Sequence, residues 1–244
     1  MFSFWQAVQC ARLGVDVSMC GSVGDDSLGE EYRQQFRSEG VSTEFLTESK
    51  GVSTGIASIN VETTTGANTI VVVGGANGNV NLNLDNIEHQ SLIEHIKSSR
   101  VLICQNEIPF SSTLSALKIA RAGATLSIFN PAPASQNLIE LISESDIVCP
   151  NETELSTLTS LPTNTEEEII AAANHLLSFG CKVIIVTLGE RGAYLATKQS
   201  NVFIKTQSTV AVDSTGAGDS FIGEYHLFLN LFVPLASILS HSLS

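Results

Sequence analysis

The stretch VDSTGAGDSF, residues 212–221, sets three small residues, Gly216, Ala217 and Gly218, directly before an acid, Asp219. Glycines reach positive φ and carry no Cβ to block a ligand, so consecutive backbone N–H groups can converge there on an anion. A helix starting near Gly216 would add its dipole to that field. Asp219 then stands on the first turn, beside any phosphate held there. It could take the proton of an attacking hydroxyl while the N–H groups stabilise charge on the transferring phosphoryl group. A plainer reading uses the same residues: Ser214, Thr215 and Asp219 can cap a helix after a tight turn. A second constellation is Asn151 and Glu154 in PNETE. Three-residue spacing on a helix puts both on one face. A carboxylate does not touch phosphate usefully, so Glu154 would act through hydrated magnesium. An Asn N-cap with an acidic first turn gives the same pattern without any ligand.

Positioning these residues falls to the elements around them. SLGEEYRQQFRSEG (27–40) predicts a helix closed by Gly40, and VDVSMCG (15–21) a strand before it. GIASINV (55–61) and NTIVVVGG (68–75) predict a hairpin through ETTTGA. From residue 100 strands and helices alternate: RVLICQ, SSTLSALKIARAG, TLSIFN, DIVCP, EEEIIAAANHLLSFG and KVIIVTLG. Continuous apolar strands of this kind are buried on both faces, which implies a mostly parallel sheet covered by helices in an α/β fold. Ligands of such sheets sit at the carboxyl ends of the strands. QNEIP, NPAPA, PNETE and TLGERG fall at those ends.

Composition narrows the function. A formal charge of −13 with no basic run excludes wrapping of nucleic acid, which needs clustered Lys and Arg. Five widely spaced cysteines without a C-x-x-C pair fit reduced thiols in a cytoplasmic setting rather than a disulfide framework or zinc site. The N-terminus predicts no targeting segment, and HLFLNLFVPLASILS, interrupted by Asn230 and Pro234, falls short of a membrane span. GAGDSF lacks the third glycine of a dinucleotide fingerprint.

GAGDSF with Asp213 ahead of it resembles the second signature of the ribokinase (PfkB-type) carbohydrate kinases. QAVQCARLG (6–14), GSVGDDSLGEEYRQQFRSEGVST (21–43), GGAN (74–77), CQNEIP (104–109), FNPAPA (129–134), PNETE (150–154) and VTLGERG (186–192) precede it in the family's order, and FNPAPA points to the ribokinase branch. The resemblance implies ATP-dependent phosphorylation of the 5-hydroxyl of ribose. Asp219 matches the family's catalytic base, which also touches the sugar, and Gly216, Ala217 and Gly218 match its anion hole. Asp213 and Thr215 match ligands of a monovalent cation, potassium in this family, and Glu154 a water-mediated contact to Mg2+. Glu107 matches a sugar-hydroxyl contact. Asn151, Gly218, Asp219 and the turn Thr187, Leu188, Gly189, Glu190, Arg191 and Gly192 match ATP contacts. The hairpin at 55–75 resembles part of a β lid, through which family members form homodimers.

The resemblance starts at Gln6. Family members carry a strand with a sugar-binding acid and a G-G-K-G-A-N motif ahead of it, where this sequence has Met1-Phe2-Ser3-Phe4-Trp5, with bulky Phe4 and Trp5 at positions of small residues. Past GAGDSF, EYHLFLNLFVPLASILSHSLS stands in place of the adenine-flanking loop and the remaining cation ligands. The expectation is one incomplete ribokinase-like domain over residues 1–244. Two outcomes stay open for it: a kinase of ribose, or of another sugar or nucleoside, and a truncated remnant with little activity that binds phosphates or partners weakly.

Overall fold

The apolar runs between residues 100 and 187 form the strands that their composition predicts. In the computed structural model, which describes residues 2–61, 68–84, 86–206 and 216–232, they belong to one of two compact units. The first unit comprises Met1–Val80 with Val210–Ser244, the second Asn81–Thr209.

The first unit opens with α1 (Phe2–Arg12), β1 (Val17–Ser18), β2 (Gly21–Gly24), α2 (Ser27–Ser38), β3 (Val41–Ser42) and β4 (Leu46–Ser49). β1 pairs in parallel with β3, and β2 with β4. The single strand expected over 15–21 is therefore two short ones. The partner segment is itself broken between Ser42 and Leu46, so Met19 N–H reaches Ser42 O while Gly21 N–H reaches Phe45 O. Ala7, Val23, Phe36, Val41 and Leu46 form the core of this part. Phe4 packs its ring on Phe36 and Tyr32, with centroids 4.7 and 5.3 Å apart, so its bulk serves this core, while Trp5 is exposed.

β5 (Ile56–Val61) and β6 (Asn68–Val73) pair antiparallel as the expected hairpin; its connection, 62–67, lies outside the described residues. Its root is fastened by Asp26, the N-cap of α2. Asp26 accepts from Gly29 N–H (2.9 Å), Thr54 Oγ1 (2.5 Å) and Thr54 N–H (2.8 Å). These bonds, the Thr54 hydroxyl's first, hold the Asp26 carboxyl below the usual carboxylate range. Backbone meets backbone here: a Cβ on Gly75 would lie 2.4 Å from Ser53 O, and one on Gly24 2.3 Å from Val52 O.

The second unit runs α3 (Gln90–Ser98), β7 (Val101–Cys104), α4 (Phe110–Gly123), β8 (Leu126–Phe129), α5 (Ile139–Glu144), β9 (Ile147–Val148), α6 (Glu152–Thr159), α7 (Glu166–Leu177), β10 (Val183–Thr187), β11 (Ala193–Thr197) and β12 (Asn201–Ile204). Its sheet has the order β12-β11-β10-β9-β8-β7. β7 through β10 run parallel, and β11 and β12 extend the edge antiparallel. All of β8 and β9 is buried, so both faces of the sheet centre are covered. Phe129, Val148, Ile184, Val186 and Tyr194 pack there with Leu117, Leu141, Leu155, Ile169 and Leu176 from the helices. The chain returns to the first unit with α8 (Ala217–Phe232), which packs against α1.

Candidate active site

Two sets of candidate residues emerge, one in each unit. In the first, Gly216 takes φ +77°, a conformation open to glycine, and its carbonyl accepts the N–H of Ser220 at 2.9 Å to start α8. Among the described residues, a Cβ added at Gly216 or Gly218 would meet nothing within 4 Å. Ala217 and Gly218 are exposed, and the leading N–H groups of a 16-residue helix are unsatisfied by the helix itself. That combination suits an anion. Asp219, one residue on, is turned inward and only 5% exposed. Its Oδ1 accepts a hydrogen bond from Gln6 Nε2 at 2.9 Å, and Gln6 is itself 2% exposed. A carboxylate so placed needs such a donor, because burying it unbonded costs several kcal/mol. Asp213 and Thr215 lie outside the described residues.

In the second unit the parallel strands bring their carboxyl ends to one edge. After β7 and β8 the loops are stitched together: Asn106 N–H donates to Ala132 O at 3.1 Å and its Nδ2 to Pro133 O at 2.8 Å. Buried Asn130 links β7 to β9, its N–H donating to Cys104 O and its Nδ2 to Cys149 O. Glu107 stands half-buried in this braced region. After β9, Asn151 forms a parallel bridge with Thr187, whose N–H donates to Pro150 O at 3.0 Å. The sheet thereby places the start of α6 beside the turn after β10.

Asn151 and Glu154 form a complete capping box. Asn151 Oδ1 accepts the Glu154 N–H, and Glu154 Oε2 accepts the Asn151 N–H, both at 2.8 Å. The plain reading of N-x-x-E is therefore realised, and it orients the Glu154 carboxyl at the helix start.

Between Thr187, the last residue of β10, and Gly192 lies a single 3-10 turn, Gly189–Arg191, leading into β11. Leu188 is buried in the core, so only its backbone could serve a ligand. Gly189 and Glu190 are exposed. Arg191 pairs with Glu152 on the first turn of α6, and its Nη1 donates to Asn164 O at 3.2 Å. The guanidinium thus ties the turn to the first turn of α6.

Two of these residues escaped the sequence reading. Gln6 stands in the QAV run as the polar member of a buried group, Gln6, Ala7, Val8 and Cys10, and a buried amide on an apolar helix face signals a partner elsewhere. Asn130 lies in NPAPA, a segment expected at a strand end, but its bracing bonds to Cys104 and Cys149 are long-range and leave no local signal. None of the five cysteines forms a disulfide; burial pushes the Cys10 thiol up to about 11 and those of Cys149 and Cys181 to about 12, which makes these three poor nucleophiles.

Residues 6–226 match the model of the pfkB family carbohydrate kinases. The chain belongs to that family. Among its curated PfkB relatives, ribokinase of Mus musculus is 37% identical over 234 residues, covering 95% of this chain and 71% of that protein. Ribokinase of Staphylococcus aureus (strain COL) is 33% identical, covering 92% and 72%. Among solved PfkB-type structures, Arabidopsis thaliana ribokinase complexed with ribose and ATP superposes with a TM-score of 0.85 at 26% identity, over 98% of this chain and 77% of that one. The α/β architecture is thus a ribokinase-like fold. Among the described residues no helix is long and apolar enough to cross a membrane.

Proposed function

We propose that this carbohydrate kinase transfers the γ-phosphoryl group of ATP to the 5-hydroxyl of ribose. The observation that carries the reading is Asp219 buried beneath an exposed glycine turn at the N-terminus of α8. The relatives named ribokinase, and the related structure holding ribose and ATP, support the choice of substrates. Asp219 takes the hydroxyl proton as the sugar oxygen bonds to the γ-phosphorus and the bond to ADP breaks. The N–H groups of Gly216, Ala217 and Gly218 hold the charge that gathers on the transferring oxygens. Glu107 binds a sugar hydroxyl, and Asn151 with the backbone of Thr187–Gly192 contacts the nucleotide.

Magnesium fits the donor chemistry at Glu154, since this ion is commonly held by one or two carboxylates together with waters and phosphates. Bound with ATP, it would neutralise charge on the β- and γ-phosphates. Asp213 and Thr215 are assigned to potassium by the family resemblance. The free thiols fit a cytoplasmic setting, and the β5–β6 hairpin fits a lid that also joins two copies.

The reading is tested by incubating the purified chain with ATP, magnesium and potassium, with ribose or without it. Ribose-dependent ADP release, with ribose 5-phosphate identified by 31P NMR, is expected. ADP release indifferent to ribose, or none at all, overturns it.

Glu154→Gln separates the two roles of that residue. The amide keeps an oxygen for the Asn151 N–H, so stability should change by less than about 1 kcal/mol. The charge is lost, and the magnesium concentration giving half-maximal rate should rise about 10-fold. An unchanged magnesium requirement would leave Glu154 as a helix cap alone.

A further inference from the structure

The bond between Gln6 and Asp219 joins residues 213 positions apart, from opposite ends of the described chain. Both side chains are buried, and an ionised carboxylate has only acceptors, so the Gln6 amide must present its NH2 group. Below this pair the helices are pressed together. Cys10, one turn on from Gln6, places Sγ 4.0 Å from Gly223 O, and a Cβ on Gly223 would lie 2.8 Å from Gln9 Cγ. Gly223 stands one turn on from Asp219, so the absence of a side chain there sets how near α1 comes to the acid. Gln6 can span what remains because the helices meet this closely.

From this contact we infer that Gln6 is a positioning residue for the base: its amide fixes the orientation in which Asp219 meets the sugar hydroxyl. The inference rests on the kinase reading above. It goes beyond that reading by giving α1, through Gln6, a part in the control of Asp219. Phosphoryl transfer is sensitive to such control, since a misplacement of about 1 Å can cost on the order of 10²-fold in rate.

The test compares wild type, Gln6→Met, Asp219→Asn and the double variant under the ribose and ATP assay. Met keeps the length of the side chain and removes the donor. Gln6→Met is expected to lower kcat about 10- to 100-fold with KM for ATP within about 2-fold. In the Asp219→Asn background the same change should cost less than about 2-fold, because residues acting through one another are not additive. An unchanged kcat, or an equal loss in both backgrounds, overturns the inference. A parallel measurement is independent of activity. The Gln6 side-chain amide protons, followed by 15N NMR, should resist exchange in the wild type and lose that resistance in Asp219→Ala. Fast exchange in the wild type overturns the contact itself, even if Gln6→Met does not fold. Absence of ribose-dependent turnover in the wild type, with the amide protected, removes the kinase reading and this role with it while leaving the contact in place.

Discussion

Asp219→Asn lowers ribose-dependent phosphoryl transfer by about 10²–10⁴-fold while the unfolding midpoint barely moves. The two side chains have the same shape, and the Asn carbonyl oxygen can accept the hydrogen bond that Gln6 Nε2 now gives to Asp219 Oδ1. The packing of α1 on α8 is therefore retained. What disappears is a group able to accept the proton of the sugar hydroxyl. Steady-state rates with ribose and ATP, beside a denaturant titration of each protein, check both halves of the expectation. A loss of only a few-fold in kcat would remove Asp219 from the role of base. Asp219→Ala is the less informative change: it removes an acceptor of the buried Gln6 amide, at a cost of about 1–3 kcal/mol, so lost activity and lost stability would be mixed.

The sequence made some of this visible and hid the rest for definite reasons. The strands β8 to β10 were legible because burial on both faces demands mostly apolar runs such as LSIF and VIIVT, while β7, at the end of the sheet and half-buried, was legible from the apolar run VLIC alone. α2 was legible from its closing end, where Gly40 stands at φ +79°; its cap, Asp26, emerged only in the structure. VDVSMCG misled because strand length is decided by the partner, and the partner breaks between Ser42 and Leu46. In the site, Asn151 and Glu154 could be read two ways from spacing alone. The structure shows the cap, which is a local arrangement, whereas a magnesium contact depends on a nucleotide and leaves no trace in a three-residue interval. The glycine turn and Asp219 were legible as a motif. Gln6 was not, since nothing in residues 2–12 announces a carboxylate partner in α8. The pairing of the Arg191 guanidinium with Glu152 was hidden too, a long-range choice no local pattern encodes.

Gly192 is where the turn after β10 is most tightly determined, and Gly192→Ala is expected to destabilise the second unit by about 3 kcal/mol or more. Two costs combine. The backbone there has φ +93° and ψ −126°, a conformation that side-chain-bearing residues avoid. A Cβ would also lie 2.0 Å from Ile204 O, and that carbonyl belongs to β12 where it pairs with Ala193. Relief requires β12 to move away from β11 at the end nearest the turn. Gly189 in the same turn provides the contrast. Its φ of +54° is a left-handed value that Asn tolerates, and a Cβ there meets nothing within 4 Å. Gly189→Asn should therefore cost no more than about 1 kcal/mol. If the nucleotide lies against this turn, the new side chain enters the space it needs, and KM for ATP should rise several-fold in a protein of nearly unchanged stability. Denaturant titrations and ATP kinetics on the two variants separate these effects. Unchanged stability in Gly192→Ala would refute the steric argument, and an unchanged KM in Gly189→Asn would move the nucleotide away from the turn. The turn is thus fixed at one glycine by the sheet edge and left open at the other, which is the arrangement a backbone contact to ATP requires.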